Sequence, residues 1–251
     1  MRALLVFFCL AVFCLAVFCL ASFCLAGGAQ DAAVVNPKMV KVEFENSKVR
    51  ILRVRFGPHE KLEMHSHPAK AEVQLTDGSV RITAAGGKSE DSPRKAGEFF
   101  WFEPTQHAVE NTGHAPLEFI EIEMKQATGP GVSVKAPPHT DVEAAPEQEP
   151  FPVQDEPHHH WAFENQYVRV LDVRLLPGES TLLHTHSHDN IAVRLSETSA
   201  QTQDMGKDWE PASKVVPGEV SYREGAKAPY THRVKNVGSA AFHVIDIEVL
   251  R

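Results

Sequence analysis

The chain writes one unit twice. Phe44-Glu45-Asn46-Ser47-Lys48-Val49-Arg50-Ile51-Leu52-Arg53-Val54-Arg55 returns as Phe163-Glu164-Asn165-Gln166-Tyr167-Val168-Arg169-Val170-Leu171-Asp172-Val173-Arg174, an offset of 119 without a gap. The same offset carries Pro58 to Pro177, Glu60 to Glu179, His65 to His184 and His67 to His186. Downstream it becomes 125, aligning His107 with His232, Asn111 with Asn236 and Ile120-Glu121-Ile122-Glu123 with Ile245-Asp246-Ile247-Glu248. Two copies of a unit, differing by a six-residue insertion in the second (125 − 119), mean two similar domains in tandem.

Inside each copy the apolar residues recur with period two. Leu52, Val54 and Phe56 share one strand face, with Arg53 and Arg55 on the other; Leu171, Val173 and Leu175 repeat this against Asp172 and Arg174. Asp77-Gly78 and Ala85-Gly86-Gly87 read as hairpin turns, and Pro217-Gly218 precedes a further strand. Short strands between such turns predict an all-β sandwich or barrel for each copy. Gln126 to Pro157 is rich in Pro, Glu, Ala and Val, lacks periodicity and reads as an interdomain linker, part of which can add a strand to one barrel.

The amino terminus sets the compartment. Arg2 precedes an unbroken apolar run with a Phe-Cys-Leu-Ala repeat, and Gly27-Gly28-Ala29 offers the small residues of a signal cleavage site, with the cut expected after Ala29. The run is also long enough to span a bilayer, so an uncleaved membrane anchor is the alternative. Either way the rest of the chain is exported, to the periplasm or outside the cell. The expected organisation is a signal peptide over 1–29, domains over 30–125 and 158–251, and a linker over 126–157. All four cysteines (Cys9, Cys14, Cys19, Cys24) fall in the leader. The remainder therefore has no disulfide framework, cysteine metal site or cysteine nucleophile. A formal charge of −8 argues against a nucleic-acid partner.

Fourteen histidines point to the chemistry. His65 and His67, two apart on a strand, share a face and can reach one ion together. Glu72 can point inward from the next strand segment, and His107 completes three imidazoles and one carboxylate. That set suits a borderline divalent metal (iron, manganese, copper, nickel or zinc) and leaves open positions for water, oxygen or a small-molecule substrate. A buried glutamate is costly unless paired or bound to metal, which favours metal over a hydrogen-bonded core cluster.

At these residues a family resemblance becomes visible. His65-Ser66-His67 followed by Glu72 resembles the first cupin motif; Gly97, Pro104, His107 and Asn111 resemble the second. Gly178, His184-Thr185-His186, Gly218, Pro229, His232 and Asn236 repeat both in the second copy. The resemblance implies two tandem cupin barrels (double-stranded β-helix, jelly-roll), a bicupin, with metal ligands His65, His67, Glu72 and His107 in one copy and His184, His186 and His232 in the other. It departs at His59, where the family has the glycine kept as Gly178. It departs again at Ile191, which the repeat aligns with Glu72, or Asn190 if one residue is dropped. On this register the second copy has the more apolar interior, with Asp189 or His188 as substitutes for the missing carboxylate. Tighter metal binding and any catalysis are then expected in the first copy, with Glu72 as ligand or mobile base.

Two tracts invite other readings. His158-His159-His160 can be a metal tract or a strand start at the linker, the reading preferred because Met39-Val40-Lys41 stands there in the first copy. Phe99-Phe100-Trp101-Phe102 reads as core packing, with one or two rings free to wall a pocket. Two function classes remain. One is a metal-dependent enzyme of the dioxygenase or decarboxylase type; the other is a module that binds metal or a small ligand without turnover. The expected partner is a small molecule. Membrane contact would come only through an uncleaved leader, and a homo-oligomer stays open.

Overall fold

The computed structural model describes residues 30–136 and 149–251; the expected leader with its cut, and linker positions 137–148, lie outside the described residues. The chain is all-β and forms two barrels. The first opens with a short helix, α1 (Ala32–Val35), and has nine strands. These are β1 (Val40–Glu45), β2 (Val49–Phe56), β3 (Lys61–His67), β4 (Lys70–Gln74), β5 (Gly78–Ala84), β6 (Ser89–Arg94), β7 (Phe99–Phe102), β8 (Thr105–Asn111) and β9 (Leu117–Met124). One sheet runs β1-β2-β9-β4-β7 and the other β3-β8-β5-β6.

The second barrel repeats the plan with β10 (Phe151–Pro152), β11 (His159–Glu164), β12 (Val168–Leu175), β13 (His184–His186), β14 (Asp189–Arg194), β15 (Thr198–Asp204), β16 (Ser213–Val215), β17 (Val220–Arg223), β18 (Tyr230–Asn236) and β19 (Phe242–Val249). Its sheets run β11-β12-β19-β14-β17 and β10-β13-β18-β15-β16. Even the irregularities recur. A bulge interrupts β1 between Val42 and Phe44, and β11 at the equivalent Trp161 and Phe163.

Strand alternation divides the apolar residues into three cores. Leu52, Val54 and Phe56 fill the first barrel with Leu62, Val80 and Phe119. Val173, Leu175, Val215, Phe242 and Val244 line the second. The opposite faces of the β1-β2-β9-β4-β7 and β11-β12-β19-β14-β17 sheets pack on each other, through Val49, Ile51, Ala71, Val73, Ile120 and Ile122 against Val168, Val170, Ile191, Val193, Ile245 and Ile247. One expected turn is not a hairpin. Asp77-Gly78 joins β4 to β5, which lie in different sheets. Gly78 lets the chain pass close to Leu117, whose Cδ1 stands 2.3 Å from where a Cβ would be and would have to move for any larger residue.

The strand registers also correct the alignment of the repeat. Glu72 lies opposite Glu121, and Ala192 lies opposite Asp246, the equivalent of Glu121. The counterpart of Glu72 is therefore Ala192, neither Ile191 nor Asn190. The second copy has one more residue between its paired histidines and this strand, and one residue of slip turns every side chain to the other face. Ile191 and Val193 thus join Ala71 and Val73 in the core between the barrels. The inward positions of β14 are Asn190, Ala192 and Arg194, a more polar series than the sequence alignment gives.

Candidate metal centres in the two barrels

In the first barrel β3 and β8 bring the three histidines together. His65 faces His107 across the strands. The Nε2 atoms of His67 and His107 stand 3.3 Å apart. His65 Nδ1–H donates to the Glu63 carbonyl at 2.7 Å, and His67 Nδ1–H to the Pro68 carbonyl at 2.8 Å, which turns each Nε2 lone pair inward. Burial, reinforced by the Lys70 ammonium, pushes His67 down to about 3 and His107 to about 2, so both are neutral at physiological pH.

Glu72, expected beside them as ligand or base, is otherwise engaged. Its carboxylate lies 3.6 Å from Lys70 Nζ and 3.5 Å from Arg94 Nε. Lys70 also pairs closely with Glu121. Phe102 lies under Lys70 and Phe100 under Arg94, at 5.1 and 4.2 Å from the ring centres. All four charged side chains are almost wholly buried. A buried carboxylate needs such partners, and here they consume it. The space left among these residues is about 10 Å³, at most one water.

The second barrel differs in both respects. Ligand atoms of His159, His184 and His186 all lie within 4.8 Å of one another, the one such set of histidines and carboxylates among the described residues. His184 Nδ1–H donates to the Leu182 carbonyl at 2.9 Å, and its Nε2 is buried without a partner. His159 Nδ1–H donates to Glu156 Oε2 at 2.5 Å, leaving Nε2 free for an ion. Glu156, fully buried, also accepts from the backbone N–H groups of His158 and Leu182. Burial raises its carboxyl, but hydrogen bonds from His158, His159 and Leu182 outweigh that and hold it well below the carboxylate range. A carboxylate that orients a metal-binding imidazole is the usual outer support of such a site.

His232 faces His184 across β13 and β18, with ring centres 4.6 Å apart, and its Nδ1 is buried without a partner. Burial pushes His184 and His186 well below the ordinary histidine value and His232 down to about 4. Neutral buried imidazoles with unsatisfied nitrogens fit a borderline divalent ion. Tyr230 stacks on His186 at 4.7 Å. Asp246 Oδ2 lies 3.8 Å from His186 Nδ1, and burial raises the Asp246 carboxyl to about 7.

These histidines line a cavity of about 690 Å³ that also touches Asn190, Arg223 and Asp246. The space exists because the residues that plug the first barrel are replaced. By strand register Ala192 stands for Glu72, Asn190 for Lys70, Ser221 for Phe100, Arg223 for Phe102 and Val215 for Arg94. Phe100 and Phe102 thus wall the first interior, whereas Phe99 and Trp101 stack on Phe163 between the barrels.

Other expected residues have structural duties. Asp189 binds Lys48 at 2.6 Å and Tyr222 at 2.7 Å, away from the histidine cluster. Asn111 and Asn236 each clasp their turn, donating to Gly57 and Ala115 carbonyls in one copy and to Leu175 and Ala240 carbonyls in the other. His59 takes φ +59, a left-handed conformation natural to its counterpart Gly178 at φ +87. The tract 158–160 does start a strand, and its middle residue also turns into the cluster. The sequence carried that signal: His159 aligns with Val40, an inward position of the first barrel.

Comparison with known proteins places this architecture. Residues 52–123 match the family model described as the cupin domain. The structure is similar to AerE from Microcystis aeruginosa, with a TM-score of 0.60 and 15% identity over 85% of this chain and 94% of that one. It is also similar to a mutant of Bacillus subtilis oxalate decarboxylase OxdC, with a TM-score of 0.53 and 15% identity over 81% of this chain and 69% of that one. At 14% identity, another structure of that decarboxylase is described by its Mn(II) centres. No curated protein sequence matches the chain. Likeness at this identity speaks for the fold.

Proposed function

We propose that this two-barrel cupin fold is a metal-dependent enzyme whose working site is the second barrel. The observation that carries this is the convergence of His159, His184 and His186, with an orphaned His184 nitrogen, on the wall of an open cavity. His232 is positioned as a fourth ligand. A borderline divalent ion held there supplies a Lewis acid with coordination positions left for oxygen or substrate. Glu156 fixes the tautomer and direction of His159. Asp246, whose carboxyl burial raises, stands beside His186 on the cavity wall. Tyr230 fixes the plane of His186 by stacking.

The proposed reaction is an oxygen-dependent oxidation of a small organic substrate. The first barrel keeps its three histidines, but with Glu72 bound to Lys70 and Arg94 it is assigned a supporting part. Export by a cleaved leader belongs to the same proposal. The test is elemental analysis of the purified mature chain, then oxygen-uptake screening with the metal restored. One tightly held ion per chain, lost in His184→Ala, supports the metal reading. Carbon dioxide release without oxygen uptake moves the reaction to the decarboxylase type, and retained metal without turnover leaves a binding module.

A further inference from the structure

The second cavity has a polar pole and an apolar pole, and the strand registers lay them out. Inward along β18 come Tyr230, His232 and Val234. Along β19 the inward series is Glu248, Asp246, Val244 and Phe242, with Asn190 opposite Glu248 at the polar end. From Asp246 to Phe242 is four residues, about 13 Å of strand. The apolar end is closed by Val173, Ala200, Val215, Phe242 and Val244.

Three cations line this cavity: Arg194, Lys214 and Arg223. Arg194 lies 3.8 Å from Glu219, and Lys214 lies 2.7 Å from Glu197. Arg223 has no carboxylate partner among the described residues. It stands at the polar end, opposite Asn190, with its guanidinium 3.4 Å from the centre of the Tyr230 ring that stacks on His186. Of the acids at the rim, Asp204 is 2.8 Å from Lys207 and Glu219 faces Arg194, while Glu210 also lines the cavity. A planar cation held on a ring beside a candidate metal site, its nearest acidic influence Asp204 acting only at a distance and not as an ion pair, suits a bidentate carboxylate.

We propose that this cavity selects a monocarboxylate with an apolar body, its carboxylate on Arg223 and its body along the wall toward Phe242. The inference rests on the second barrel being the working site. A small dicarboxylate such as oxalate fits it badly, because its second charge would face the apolar pole. About 690 Å³ also far exceeds what so small an anion fills.

The test is calorimetric titration of the full mature chain, loaded with zinc, with hexanoate, hexanamide, acetate and oxalate, metal content being measured on the same samples. Hexanoate should bind at least tenfold more tightly than hexanamide and than oxalate. Affinity from acetate to hexanoate should climb by up to about fourfold per methylene buried. Arg223→Gln should erase the preference for hexanoate over hexanamide while metal content is unchanged. Equal binding of acid and amide, oxalate binding as tightly as hexanoate, or an Arg223→Gln variant that keeps the preference would overturn the proposal. If the chain holds no zinc yet keeps the hexanoate preference, the metal reading fails and this inference stands.

Discussion

Glu156→Gln separates two roles that one buried carboxylate plays. Oε1 accepts from Leu182 N at 2.9 Å and His158 Nδ1 at 3.1 Å; Oε2 accepts from His158 N at 3.0 Å and His159 Nδ1 at 2.5 Å. An amide keeps the shape but replaces one oxygen with a donor, so two of these donors face another donor. Hydrogen bonds to a charged group are worth about 1.5–3 kcal/mol each, so the loss of two costs at least about 3 kcal/mol. For a chain of this length that lowers the melting temperature of the metal-free protein by about 6–12 °C. If the amide nitrogen lies toward His159, the imidazole must shift its proton to Nε2, the atom aimed at the ion. Loss of such outer support weakens metal binding by about 10–100-fold, or about 1.4–2.7 kcal/mol. Competition against a chelator, followed by the absorption of bound cobalt, measures this directly. A lowered melting temperature with metal affinity changed by less than twofold would refute the claim that Glu156 orients a ligand.

Three further outcomes are expected. Ala192→Phe restores the kind of bulk that closes the first interior and should abolish hexanoate binding while leaving metal content intact; calorimetry with metal analysis checks it. Lys70→Met leaves Glu72 and Glu121 as buried acids without their shared cation, which should destabilise the chain by about 3–5 kcal/mol in urea unfolding at pH 7, with partial recovery as pH falls and Glu72, whose carboxyl burial already raises, protonates. His65, His67 and His107 in the first barrel and His184, His186 and His232 in the second have folded values below the ordinary 6.5. At these six sites the unfolded chain binds more protons than the folded one in acid; they outnumber the buried acids Glu72, Glu123 and Asp246, whose raised values act the other way, so apo stability should fall as pH drops below about 6.5. Each such group adds up to about 1.4 kcal/mol per pH unit until its own folded value is reached, about 4 for His232.

Both barrels were legible because the signal was doubled: a strand period of two in one copy could be checked against the other. The histidines at His65, His67 and His107, and at His184, His186 and His232, came with it, since adjacent β3 and β8, or β13 and β18, place them face to face. What escaped was set by distant contacts. Nothing local to Glu72 says that Arg94, 22 positions on, will take its carboxylate. The one-residue slip before Asn190 hides in a run, Ser187-His188-Asp189, with no counterpart in His67-Pro68-Ala69-Lys70 to anchor a gap. Only the pairing of Ala192 with Asp246 reveals it. His159 was obscured by its neighbours, since three consecutive histidines look alike until strand alternation turns one inward and leaves the next outward.

The first barrel also shapes the second from outside. Lys48 binds Asp189, and Asp189 in turn accepts from Tyr222 Oη at 2.7 Å and Ala226 N at 3.1 Å. Phe44 stacks on the same Tyr222 at 4.5 Å, and Arg53 donates to the Gly218 carbonyl just before β17. Residues of β1 and β2, and the turn between them, therefore hold β17 and the turn after it, the rim on which Arg223 sits. A scaffold role of this kind depends on Lys48, Phe44 and Arg53, none of which needs a metal inside the first barrel. It leaves that interior free to be filled by Lys70, Glu72, Arg94 and two phenylalanines without disturbing the cavity next door. Lys48→Ala should accordingly raise hydrogen exchange at Tyr222–Ala226 while leaving the amides of β3 and β8 protected. Loosening of β3 and β8 in that variant would mean that Lys48 supports the first interior and not the rim of the second.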